Sequence, residues 1–182
     1  LSLKKFDYFS REQLQKIHNL KGDRNANRVL NGLSKYLGSF RHGMENIYYL
    51  NKAGREHVGC NIIRKKTPNI NHFLMRNQLW ICMGMPHSWQ NEIKVTVKDI
   101  NIVCDAKFLL QKTDILVEID VTQSMAKNRV KIEKYKRIKE LTGNDFHLIW
   151  VTETESRRAA LNNLMAAAKI PGKVYAFKDL RL

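Results

Sequence analysis

The chain has 182 residues, 43% hydrophobic and 27% charged, a balance that suits a folded protein of one large domain or two small ones. Thirty-two Lys and Arg against seventeen Asp and Glu leave a formal charge of +15, with a pI of about 9.9. That excess points to a polyanionic partner, foremost nucleic acid. No apolar run approaches the ~18 residues of a membrane span, no signal peptide is visible, and Cys60, Cys82 and Cys104 form no pair at zinc spacing.

These cysteines are expected as reduced, mostly buried thiols in a cytoplasmic protein with no small-molecule cofactor. The chain opens on Leu1 rather than Met, and Leu1–Phe6 has the pattern of a helix end, so further residues are expected upstream. Ser10 with Gln13 makes a capping box, in which each side chain satisfies a backbone donor at a helix start. The helix it opens puts Leu14 and Ile17 on one face. Lys21-Gly22 breaks it, and Asp23 is the expected cap of the next helix. There Ala26, Val29, Leu30, Leu33 and Leu37 recur at helical spacing and predict a core face. Arg24, Arg28, Asn31 and Lys35 recur at the same period on the other side. Gly32 weakens this helix by ~1 kcal/mol relative to Ala. Two short strands follow, Ser39–Arg41 and Asn46–Leu50, turned by His42-Gly43. Asn51 caps a short helix running through Glu56.

The apolar pattern breaks at Arg64-Lys65-Lys66-Thr67-Pro68. This predicts a first domain over residues 1–59, a linker over 60–68 and a second domain over 69–182. Residues 1–68 hold fourteen basic and five acidic groups, net +9, against eighteen and twelve, net +6, for the remainder. The electrostatic footprint is therefore densest in the first domain.

Beyond the break, Ile70, Phe73, Leu74, Asn77 and Ile81 mark a helical face, and Glu92–Val97 alternates as a strand. Ile100–Leu110 and Asp114–Val121 predict a hairpin around Gln111-Lys112-Thr113. Ser124–Leu141 is a helix whose stretch Lys127–Lys139 carries seven basic residues against Glu133; such a run is a solvated face or lies along a phosphate backbone. Phe146–Thr152 suits the interior of a sheet. Glu155–Ala168 is helical, and Gly172–Phe177 is a last strand. The fold class expected is α+β, with a mixed sheet flanked by helices in the second domain.

Asp105 falls on one strand of the long hairpin, Glu118 and Asp120 on the next. Residues two apart on a strand share a face, so Glu118 and Asp120 project together. A cluster with Asp105 is costly unless a cation, a lysine or solvent relieves it. Magnesium held by carboxylate oxygens is one solution.

The early order of helices and hairpin, with Ile47-Tyr48-Tyr49-Leu50-Asn51-Lys52-Ala53-Gly54, resembles a winged helix-turn-helix. Such a domain sets its second motif helix in the major groove of double-stranded DNA, with a wing on the backbone. The resemblance implies DNA contacts by Arg24, Arg28, Asn31 and Lys35, and by Arg41 and His42 of the wing. Asp105, the hairpin and Glu118-Ile119-Asp120 resemble the PD-(D/E)xK nuclease core of the restriction-endonuclease-like fold, with a degenerate third position. Joined to the winged helix, the match resembles the replication-relaxation family of plasmids and other mobile elements. It is carried by Tyr48-Tyr49-Leu50 with Gly54, His72, Trp89 with Glu92, Cys104-Asp105, Val117-Glu118-Ile119-Asp120 with Thr122, and Lys131 with Tyr135.

Two departures bear on chemistry: Cys104 stands where the core has proline, and Asp120 where it has lysine. If the site cleaves, the resemblance implies Asp105, Glu118 and Lys131 as its catalytic residues. Lys127 is the other helix lysine able to stand in, and Glu92, Asp105, Glu118 and Asp120 would hold Mg or Mn. If it does not, Glu118 pairs with a nearby lysine and Asp120 is a solvated turn residue. The favoured expectation is a DNA-binding protein of replication, mobilisation or transcriptional control with an inactive nuclease-like domain; the alternative is a magnesium-dependent endonuclease. A homodimer is expected, since winged-helix regulators often bind two half-sites.

Overall fold

The computed structural model describes residues 1–182 as an α+β protein with seven α-helices. The chain divides into two compact units, Leu1–Ile81 with Leu182, and Cys82–Arg181.

The first unit begins with α1 (Ser2–Phe6), β1 (Phe9–Ser10) and α2 (Arg11–Ile17). The Ser10–Gln13 capping box forms as the sequence predicts. The next helix, α3 (Asp23–Gly32), differs from expectation at both ends. Its N-cap is Gly22, and Asp23 sits in the first turn, paired with Arg11 at 2.7 Å. It stops at Gly32, after which Leu33–Tyr36 turn and Leu37 opens a strand. Ala26 and Leu30 are buried, but Leu33, the residue capping the helix end, is 42% exposed, lining an open apolar pocket with Val29, Leu30, Leu37 and Leu50.

Strands β2 (Leu37–His42) and β3 (Glu45–Leu50) form a hairpin, and β1 adds to the free side of β3 in an antiparallel sheet of order β1-β3-β2. Gly43 at the hairpin tip has φ +56°, a conformation that costs glycine little. Asn51 caps α4 (Lys52–Val58), its Oδ1 accepting from the Gly54 N–H at 2.9 Å.

Helix α5 (Ile70–Cys82), which the sequence pattern assigned to the second domain, packs on the first unit. Ile70 and Leu74 join Tyr8 and Ile47 in its core. A buried polar network does the rest. Asn77 donates to the Phe6 and Tyr8 carbonyls, Gln13 Nε2 to the Leu74 carbonyl at 2.9 Å, and Arg76 reaches Asp7 at 3.4 Å. Buried polar groups must find such partners or cost free energy, so these bonds fix where α5 lies.

The second unit is a five-stranded mixed sheet of order β4-β5-β6-β7-β8, made of β4 (Gln90–Val97), β5 (Ile100–Leu110), β6 (Thr113–Asp120), β7 (Phe146–Thr152) and β8 (Gly172–Ala176). The first three strands are antiparallel neighbours and the last three parallel ones. The parallel pairs are linked by crossover helices α6 (Met125–Thr142) and α7 (Glu155–Ala167), as parallel strands require. Ser124 caps α6, and Gly143 ends it in the left-handed conformation. Ile132, Tyr135 and Ile138 of α6 and Leu161 and Met165 of α7 share one core with Leu116, Leu148, Trp150 and Val174 of the sheet. Both helices thus cover the same sheet face. No helix is long and apolar enough to cross a membrane.

Candidate nucleic-acid interface and carboxylate cluster

On α3, Arg24, Arg28 and Asn31 are exposed, opposite buried Ala26 and Leu30. At 3.6 residues per turn, positions 24, 28 and 31 form one stripe along the helix. Arg28 reaches back to Asn25 Oδ1 at 2.7 Å, which steadies its guanidinium at the surface. Lys35, expected as the fourth member, lies beyond the helix end in the turn to β2, its Nζ 5.5 Å from the centre of the Tyr36 ring. Arg41 is exposed on β2, whereas His42 is half-buried and bonded through Nε2 to Asn71 Oδ1 of α5 at 2.7 Å. The hairpin thus offers Arg41 to solvent and turns His42 onto the unit's own helix.

In the second unit, the β5–β6 ladder runs from Leu110↔Thr113 to Ala106↔Val117, and Asp105 lies just past its end. There a side chain replaces the ladder: Asp105 Oδ2 accepts the Ile119 N–H at 2.7 Å. Next to it Glu118 is 1% exposed, one carboxylate oxygen accepting from Lys131 Nζ and the other from the Tyr135 hydroxyl, both groups of α6. Burial, and then the neighbouring Asp105 charge, push the Glu118 carboxyl up to about 8, although Lys131 and the hydrogen bonds pull the other way. Burial and the same carboxylates raise the Cys104 thiol to about 12, leaving it an inert core group. Cys104 is buried, and Cys60 and Cys82 are partly exposed.

Asp120 corrects the expectation of a solvated turn residue. It is the last residue of β6 and 0% exposed, and both oxygens accept from Arg157 of α7 at 2.8 Å. Arg157 also donates to the Gln123 carbonyl, and the Gln123 amide to buried Asn128 of α6. The sequence reading missed Arg157; its signal was a second carboxylate two residues after Glu118 at the end of β6, which demands a cation of its own. Glu92 is exposed on β4 with φ +53°, and Lys127 is exposed on the first turns of α6.

A divalent cation needs carboxylate oxygens converging on one point. Here each buried oxygen faces a protein donor instead, and no three His, Cys, Asp or Glu side chains gather as a metal cage. The arrangement as folded does not fit the ion. What it builds are two compensated pairs, Glu118 with Lys131 and Asp120 with Arg157, at one end of the sheet.

A family model described as replication-relaxation matches residues 1–147. No curated protein matches the chain. Among solved structures, the crystal structure of protein VC1899 from Vibrio cholerae is similar at 12% identity and a TM-score of 0.45, over 87% of this chain. The chain spans 40% of the length of that protein.

Proposed function

The chain belongs to the replication-relaxation family, and from that premise we propose a DNA-binding protein of a plasmid or other mobile element, acting in replication, mobilisation or transcriptional control. On this reading the first unit is a winged helix-turn-helix. Helix α3 enters the major groove, and the β2–β3 hairpin is a wing that rests Arg41 on the backbone. The observation that carries it is the exposed stripe of Arg24, Arg28 and Asn31 on a helix of a chain with net charge +15. Arg and Asn can each make paired hydrogen bonds to base edges. Lys35, outside the helix, acts on phosphate.

The test is fluorescence anisotropy on duplex DNA at low and moderate salt. Binding should weaken steeply with salt, because phosphate contacts release counterions. Absence of binding in both, or binding indifferent to salt, would sink the proposal. Arg28→Ala with Asn31→Ala should weaken a specific site more than non-specific duplex; equal losses would mean these side chains hold backbone. A homodimer belongs to the same reading, and a monomeric mass by light scattering, both free and on DNA, would remove it.

The second unit fits a nuclease-like fold that no longer cleaves. What supports this is the occupation of Glu118 and Asp120 by Lys131 and Arg157, charges set where an active site would keep oxygens open for metal. Supercoiled plasmid incubated with Mg or Mn, beside an Asp105→Ala control, decides between the readings. Little or no nicking with Mg is expected, and at most weak nicking with Mn. Robust Mg-dependent nicking that disappears in the control would make this an endonuclease.

A further inference from the structure

Helix α6 and the start of β5 enclose an open groove of about 230 Å³, and three lysines of α6, Lys127, Lys131 and Lys134, line it. Positions 127, 131 and 134 follow one face of the helix, so their Cα atoms recur at intervals of about 6 Å and then about 4.5 Å along its axis. Lys131 is bound to Glu118, and Lys134 donates to the Asn101 carbonyl at 3.1 Å, which anchors two of them at the groove wall. Lys127 is exposed at its mouth. Val103 and Val130, 50% and 59% exposed, supply apolar surface between the charges.

The charge order of the helix is a second, independent observation. The positive end of a helix dipole favours acids in the first turn. Helix α6 has none there, and carries Lys127 in its first turn instead, with Arg129 following in the next. That placement is unfavourable in the free protein and becomes favourable once an anion lies along the first turns. A single free phosphate answers one lysine; a ligand with repeated charges and apolar edges answers the row. A nucleic-acid strand, with a phosphate at every nucleotide and sugar faces between, has that chemistry.

We propose that the α6 groove is a second nucleic-acid site, binding the sugar–phosphate backbone through Lys127 and Lys134, separate from the α3 stripe. It rests on the DNA-binding reading of the chain. The full chain is titrated against labelled non-specific duplex from about 50 to 200 mM salt, as wild type and as two double variants, Lys127→Gln/Lys134→Gln and Arg24→Gln/Arg28→Gln. Lys131 is left in place because it holds Glu118. Loss of two phosphate contacts should lower the log–log salt slope by about 1.8 and weaken binding about thirtyfold near 0.15 M salt. Lys127→Arg/Lys134→Arg should keep both, and thermal melts of the variants should overlay that of the wild type.

An unchanged slope and affinity in the groove variant, with binding lost in the α3 variant, overturns this site and leaves the DNA reading standing. The reverse pattern keeps the groove and removes α3 as the reader. If neither variant changes binding, or the wild type does not bind, both fail. Displacement of the duplex by poly-glutamate as readily as by unlabelled DNA would make the groove a site for acidic protein, and overturns it too.

Discussion

Replacing Arg157 by Leu should be among the most damaging single changes in the second unit. The substitution leaves the Asp120 carboxylate 0% exposed, at the end of an interior strand, with both oxygens stripped of their donors. Removing one partner of a buried ion pair costs about 3–5 kcal/mol, because the remaining charge stays out of water without compensation. The reverse change, Asp120→Asn, leaves a guanidinium whose side chain is 23% exposed and can turn to solvent, so it should cost less, about 1–2 kcal/mol. The double variant should then be more stable than the sum of the two losses predicts, with a coupling of at least about 2 kcal/mol. Urea unfolding followed by the fluorescence of buried Trp150, whose strand neighbours β6, reads all four proteins. With a slope of about 1.5 kcal/mol per molar, the Arg157→Leu midpoint falls by about 2–3 M. A loss below about 1 kcal/mol, or strictly additive effects, would refute the view that this pair holds the end of the sheet closed.

Glu118 gives the pH dependence. Its folded pKa of about 8 lies above the ordinary 4.5, so the native state keeps a proton that the unfolded chain releases in between. Its contribution is therefore most favourable below about pH 4.5 and is lost as pH rises through 8, at no more than about 1.4 kcal/mol per pH unit. The stability of the wild type relative to Glu118→Gln should fall between about pH 5.5 and 8.5, and a constant difference would mean that Lys131 keeps the carboxylate charged throughout. Gly54→Ala tests the packing of α4. In an open helix it would gain up to about 1 kcal/mol, but here the new Cβ would stand 2.1 Å from the Tyr36 carbonyl oxygen, so a net loss of about 1–3 kcal/mol is expected on melting. A gain would place that carbonyl elsewhere.

The second unit was legible almost element by element because its signals are local. Alternation marked β4, the hairpin around Gln111-Lys112-Thr113 marked β5 and β6, the basic stretch Ser124–Leu141 marked α6, and an apolar run marked β7, which lies between two parallel neighbours. The first unit hid more. Helical spacing carried the reading of α3 through Leu33, Lys35 and Leu37, yet the chain leaves the helix at Gly32 to enter β2. Periodicity gives the face of a helix, not its end, and a glycine with no competing cap is an easy place to stop. Helix α5 was read as a helix, with Asn77 on its marked face, but was given to the other domain. Arg76 and Gln78 look like solvent residues, yet with Asn77 they are buried against Asp7, Phe6, Tyr8 and Gln13, some seventy positions upstream. No local pattern reports a partner at that distance.

The carboxylate site shows which part of such long-range pairing can be reasoned out. Asp120 closes a strand of the parallel half of the sheet, and in a parallel sheet the ends of the strands meet the first turns of the crossover helices. A carboxylate there is surrounded by residues early in α6 and α7. Lys127 and Lys131 come from the first of these, Arg157 from the second. Sequence reasoning considered only α6, because it follows β6 directly. Since β7 lies beside β6 and both crossovers cover one face, α7 brings Arg157 to Asp120 as readily. Asp120 thus has its compensation one helix further on. A lysine at position 120 would set positive charge against Arg157 in the same buried space. Asp120 and Arg157 are therefore best understood as one buried pair, and neither can be replaced alone without stranding the other.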